Sequence, residues 1–144
     1  MQKIVFDARM YGLSHAGIGR YIKNLLINLK PLIKNQKLIL IANHDELDEI
    51  NKDLGKDTNI ILAQTGHYSF REQFEIPQIL KKINPDLVHF PHFNAPLFTS
   101  KPFVVTIHDL IKHYFHGKET TTKTKWLYWI KYLGYQRQVR FSLN

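Results

Sequence analysis

Histidines stand where two short apolar runs of this sequence end. Leu87-Val88 runs into His89, with His92 three residues on, and Val104-Val105-Thr106-Ile107 runs into His108-Asp109. An imidazole beside a carboxylate at a strand terminus can hydrogen-bond a ligand hydroxyl or move a proton near neutral pH. The alternative is a cap that satisfies orphan backbone groups. With His113 and His116 the histidines also invite a metal reading. However, His89 and His92 straddle a strand end and Pro91, and no paired carboxylate or cysteine completes a ligand set. No metal site is assigned. A second feature is Gly17-Ile18-Gly19-Arg20, placed where a strand gives way to a helix. Free N–H groups and the positive dipole end there suit a phosphate or another anion. The dinucleotide fingerprint would want a glycine at Ile22 and an acid at Asn43, so this is not a nicotinamide-cofactor site. The two glycines can equally serve a tight turn and close helix packing. A Walker A loop and a nucleophile elbow are both absent.

The elements that must position these groups alternate in type. Lys3 to Arg9 reads as a buried strand and Met10 to Ala16 as a loop. A helix opens at Gly17, with Ile18, Tyr21, Ile22, Leu25, Leu26, Leu29 and Leu32 on one face, and Pro31 should kink or end it. Lys37–Ala42 is a second strand, Asp45 to Leu54 a short acidic helix stopped at Gly55, and Asn59–Ala63 a third strand. Tyr68 to Ile83 is helical around Phe70, Phe74, Ile76, Ile79, Leu80 and Ile83, with a break expected at Pro77. The two histidine-ended runs are strands four and five, separated by a loop from Pro91 to Pro102. A polar loop from His113 to Thr124 and an amphipathic helix from Lys125 to Phe141 follow.

Strand–helix alternation predicts a Rossmann-like parallel α/β sheet with flanking helices. In such a sheet the first and fourth strands are neighbours where strand order reverses, and ligands bind in the crevice beyond their carboxyl ends. The loop after strand one, the stretch from His89 and the pair His108-Asp109 all reach that crevice. The fold thus brings three separate stretches together.

Composition sets the bounds. At 144 residues and 44% hydrophobic content the chain is one domain with a real core. No apolar run approaches a membrane span and no secretory leader is read at Met1. Zero cysteines exclude disulfides and thiolate chemistry and fit a cytoplasmic setting. Seven basic residues and one acid follow Leu110, so +6 of the net +8 lies in the last quarter, among Trp126, Tyr128, Trp129, Tyr132 and Tyr135. That segment reads as a solvated helix face with an aromatic core stripe, or as a contact with an anionic membrane surface. A nucleic-acid partner is not expected. The sequence stops at Ser142-Leu143-Asn144, where alternation calls for another strand, so an incomplete domain is expected.

Four stretches carry a resemblance: Asp7 to Gly12, Gly17 to Tyr21, Pro85 to Asn94 with Pro96, and Val104 to Leu110. Together they resemble the N-terminal half of the retaining GT-B glycosyltransferases of family 4. The resemblance implies two Rossmann-like domains facing a cleft, an acceptor on the N-terminal one, and a nucleotide-sugar donor with a glutamate pair on the other. It implies sugar transfer with retention, no essential metal, and the nucleotide-sugar as co-substrate rather than a bound cofactor. Residue by residue, Gly17, Ile18, Gly19 and Arg20 match the loop by the donor diphosphate. His108, which would face the transferred sugar, and Asp109 match the catalytic positions, and Arg9, His89, His92 and Asn94 the acceptor cleft. The acceptor would be a glycan or lipid-linked, with the enzyme cytoplasmic or at the inner face of the membrane. Residues 1–144 hold no second domain, so the isolated chain is expected to be inactive. The competing reading is a non-catalytic Rossmann-like module that binds a nucleotide or phosphate at Gly17–Gly19.

Overall fold

A computed structural model describes residues 1–67 and 69–108. Tyr68, Asp109, the helix expected over 125–141 and the basic segment after Leu110 lie outside the described residues. The elements are β1 (Lys3–Asp7), α1 (Ala16–Leu29), β2 (Lys37–Ala42), α2 (Leu47–Leu54), β3 (Asn59–Leu62), α3 (Glu72–Ile83), β4 (Leu87–Phe90) and β5 (Phe103–Val105). Short 3-10 turns at Leu13–His15, Lys30–Leu32 and His44–Glu46 join them.

All neighbouring strands are parallel, in the order β3-β2-β1-β4-β5. The chain therefore winds one way from β1 and then the other, and the reversal falls between β1 and β4. Strand alternation sends Phe6, Leu40 and Ala42 to one face, where Ile22 and Leu26 of α1 and Ile50 and Leu54 of α2 cover them. It sends Val5, Ile39, Ile41, Val88 and Phe90 to the other face, against Ile76, Leu80 and Ile83 of α3. The central strands β1 and β2 are covered on both faces, which is why they read as unbroken apolar runs. Among the described residues no helix is long and apolar enough to cross a membrane.

Two elements depart from the sequence expectation. Pro77 lies inside α3 without breaking it. It removes one hydrogen bond, to the Gln73 carbonyl, at a cost of about 3 kcal/mol. Burial of Ile76, Leu80 and Ile83 on one face, at about 1.5–3 kcal/mol each, exceeds that. The same packing overturns the expected inner face. Phe70 and Phe74 are 84% and 60% exposed, whereas Glu72 is wholly buried. The stripe that meets the sheet is Glu72, Ile76, Leu80 and Ile83, spaced four, four and three, and position 74 falls outside it. The second departure is β4, which runs through His89 to Phe90, so His89 is a strand residue.

Candidate functional site

The carboxyl ends of β1 and β4 are held together by a buried ionic cluster. The backbone turns sharply after Asp7, with Tyr11 N–H donating to the Ala8 carbonyl at 2.9 Å, and Arg9 folds back on Asp7. Its Nε and Nη2 donate to the two Asp7 carboxylate oxygens at 2.9 and 2.7 Å. Nη2 also donates to Glu72 Oε1 at 2.6 Å, and Glu72 Oε2 accepts the Asn94 side-chain amide at 2.7 Å. Arg9 and Glu72 have no exposed surface. Burial pushes the Asp7 carboxyl up, but the Arg9 charge and hydrogen bonds outweigh it and hold the carboxyl below its ordinary value. One cluster thereby joins the end of β1, the first turn of α3 and the loop after β4. Arg9, expected in the acceptor cleft, has no exposed surface and ties these elements together.

In front of this cluster lies a small, partly open pocket lined by Asp7, Met10, Ile22, His67, His92 and Asn94. His92 and Asn94 both line this pocket, beside the point where strand order reverses.

On the other side of the β1–β4 seam a second group converges. His89 stacks edge-on against Phe6, with ring centroids 4.6 Å apart, and its Nε2 lies 2.9 Å from Thr106 Oγ1. Burial lowers the His89 pKa below the ordinary histidine value. The Tyr21 hydroxyl of α1 meets the same Thr106 oxygen at 3.3 Å, and its ring meets His108 edge-on at 4.9 Å. His108 is exposed, and its Nε2 lies 2.8 Å from the Pro91 carbonyl. A carbonyl only accepts, so Nε2 carries the hydrogen and Nδ1 is the acceptor of the neutral ring. His92 stacks 6.3 Å from His108 at 29°, which brings the post-β4 loop and the end of β5 side by side. His89 faces the α1 side of the sheet with Phe6 and is not among the residues that line the pocket of His92.

The start of α1 is fixed by the segment around α2. Tyr11 donates to Asp53 at 3.1 Å, His15 Nε2 meets Glu46 at 3.2 Å, and Lys23 bridges Glu49 and Asp53 at 2.8 and 2.7 Å. The two glycines differ sharply. A side chain on Gly19 would collide with backbone oxygens, its Cβ falling 1.9 Å from Gly12 O and 2.8 Å from Met10 O, whereas one on Gly17 would meet nothing within 4 Å. Gly19 thus serves close packing of helix on loop. Gly17 and Arg20 are exposed, and Ile18 packs against the α1 core.

With this geometry in view, comparison with known proteins is specific. Residues 15–141 match the model of Glycosyltransferase Family 4. The chain belongs to glycosyltransferase family 4. No curated protein matches it. A crystal structure of a glycosyltransferase from Rickettsia africae ESF-5 is similar in fold, with a TM-score of 0.50 and 21% identity, over 81% of this chain and 34% of that one. The chain thus spans about a third of the length of that protein. Glu72, His67, Tyr21 and Thr106 were given no site role by sequence reasoning, although Tyr21 and Thr106 lie in the stretches that carry the resemblance. For Glu72 a signal existed: it extends the Ile76-Leu80-Ile83 stripe backward by one turn. For the other three, only contacts across the sheet reveal them.

Proposed function

We propose that this chain is the N-terminal, acceptor-side half of a retaining glycosyltransferase. It would act in moving a sugar, a hexose by the resemblance, from a nucleotide-sugar to a glycan or lipid-linked acceptor. The observation that carries the reading is the seating of His108. Its ring stands at the end of β5 between Tyr21 of α1 and His92 of the post-β4 loop, with Nε2 tied to Pro91. That leaves Nδ1 to accept a hydrogen bond from a sugar hydroxyl. Tyr21 belongs to the same helix whose first turn holds Gly17 and Gly19, so a diphosphate at that turn and a sugar at His108 fit one donor. His92 and Asn94 beside Asp7 would take the acceptor. Asp109 and the basic contact with a membrane surface, both outside the described residues, complete the proposal, with a cytoplasmic or inner-membrane-face location.

The 34% coverage of the Rickettsia protein supports a donor-binding half beyond these 144 residues. Radiolabelled nucleotide-sugars offered with lipid-linked and soluble glycan acceptors test this. The 144-residue chain alone should transfer no label, and the polypeptide continued through the downstream coding frame should. Transfer by the short chain would overturn the half-enzyme reading. In an active continued form, His108→Ala should lower kcat/KM by about two orders of magnitude or more. Unchanged kcat/KM would remove His108 from the site.

A further inference from the structure

His108 is exposed, and one hydrogen bond does not fix its orientation. The bond from Nε2 to the Pro91 carbonyl at 2.8 Å holds one corner of the ring and leaves the ring able to pivot about that corner. The direction of Nδ1 needs a wall as well. Tyr21 supplies one, its ring edge-on to His108 at 83° with centroids 4.9 Å apart. The Tyr21 ring packs on the α1 core, and its hydroxyl lies 3.3 Å from Thr106 Oγ1. The Thr106 backbone is pinned, because its N–H donates to the Phe90 carbonyl at 2.9 Å. Its hydroxyl is shared with His89 Nε2 at 2.9 Å. His89 is clamped in turn by the edge-on ring of Phe6, which has no exposed surface. A threonine hydroxyl has one hydrogen and two lone pairs, so it can serve both neighbours at once, whichever of them donates. Contacts therefore run unbroken from Phe6 of β1 through His89 of β4, Thr106 just past β5 and Tyr21 of α1 to His108.

We propose that Thr106 and His89 are positioning residues for His108, acting through the Tyr21 hydroxyl. The inference rests on the transferase reading for what His108 meets, a sugar hydroxyl at Nδ1, and adds how that nitrogen is aimed. Satisfying a half-buried imidazole such as His89 takes one partner. Here the partner's oxygen also meets the phenol that lies against His108, a link that stability by itself does not call for. Aim matters to a reacting group, since a misplacement of about 1 Å can cost about a hundredfold in rate. Anchoring the tip of Tyr21 keeps its ring where it limits the pivot of His108.

Two variants test this. Tyr21→Phe keeps the ring and removes its anchor, and Thr106→Val removes the shared hydroxyl while keeping the branched shape. In the 144-residue chain, with no substrate, the ring-proton resonances of His108 (assigned with His108→Gln) should be displaced by the Tyr21 ring current. They should move toward free-histidine values in both variants, and Thr106→Ser should restore them. In the polypeptide continued through the downstream coding frame, each variant should lower kcat about tenfold or more, with KM changed less than about twofold. The double variant should cost no more than either single one, because both cut the same link. Should Thr106→Val fail to fold, Tyr21→Phe, which leaves the His89–Thr106 contact in place, decides alone. Resonances unmoved by Tyr21→Phe would overturn the proposal, as would an unchanged kcat or losses that multiply in the double variant. No transfer by any form of the continued polypeptide would overturn the transferase reading instead, and the resonances would still decide whether these residues aim His108.

Discussion

Glu72 is the residue on which the site's geometry turns. Its carboxylate accepts from Arg9 at 2.6 Å and from Asn94 at 2.7 Å with no access to water. Removing it leaves a buried guanidinium facing only Asp7, and breaking a buried pair costs about 3–5 kcal/mol. Urea unfolding of Glu72→Ala should show a loss of that size, with Glu72→Gln less affected because Asn94 keeps an acceptor. A loss under about 1 kcal/mol for the alanine variant would show that the cluster does not hold the loop. His89 supports a prediction of opposite chemistry. Its folded-state pKa is lowered by burial, so the unfolded chain binds the proton more tightly. Stability is therefore fully present above the unfolded value of about 6.5 and declines as pH falls below it. Denaturant midpoints taken from about pH 7.5 down to about pH 5, a range that spans that value, should drop, and His89→Leu should flatten that limb. An identical slope in the variant would assign the titration to another group.

The glycine turn before α1 separates two properties at the scale of an element. Gly19 is dictated by packing, because the loop carbonyls of Met10 and Gly12 occupy the space of a side chain. Gly19→Ala should destabilise the chain by at least about 2 kcal/mol, since backbone atoms must shift to admit it. Gly17 sits in the first turn beside open space, and Gly17→Ala should change stability by no more than about 1 kcal/mol. If the helix start receives a donor diphosphate, that same methyl enters the ligand's space. Donor binding by the continued polypeptide should then fall although stability does not, and calorimetry on both variants checks the pair. Helix α3 teaches the complementary lesson. Its apolar residues suggested an inner face with Phe70 and Phe74, but the sheet accepted the four-four-three stripe that includes a glutamate. The phenylalanines were left outside.

For the whole molecule, the order β3-β2-β1-β4-β5 puts every candidate group of the described residues at one edge of one sheet. That edge is built from the carboxyl ends of parallel strands. In the proposed reading it is one half of a cleft, and the chain spans 34% of the structurally similar Rickettsia protein. Nucleotide-sugar binding by the short chain should accordingly be weak. Titration calorimetry with a panel of nucleotide-sugars should give no constant tighter than about 1 mM, equivalent to about 4 kcal/mol. Micromolar binding without transfer would favour a stand-alone binding module.

The sequence by itself determined the class of fold, the strand positions and the place of the crevice. Unbroken β-branched runs have no amphipathic choice of face, and alternation with helices leaves a parallel sheet as the way to bury them. It also set the residue types at the strand ends, His92, Asn94 and His108 among them. Tertiary structure alone decided which side of the sheet each group serves. A single residue's offset along a strand turns a side chain to the opposite face, so His89 joined Phe6 and Thr106 while Val88 and Phe90 face α3. It decided that Arg9 is a buried tie, because its partner Glu72 lies 63 residues away and comes within 2.6 Å only when α3 docks. And it decided the orientation of His108, whose tautomer is set by a carbonyl 17 residues earlier in the chain. Pattern along the chain reports what a residue can do. Only packing across it reports what that residue meets.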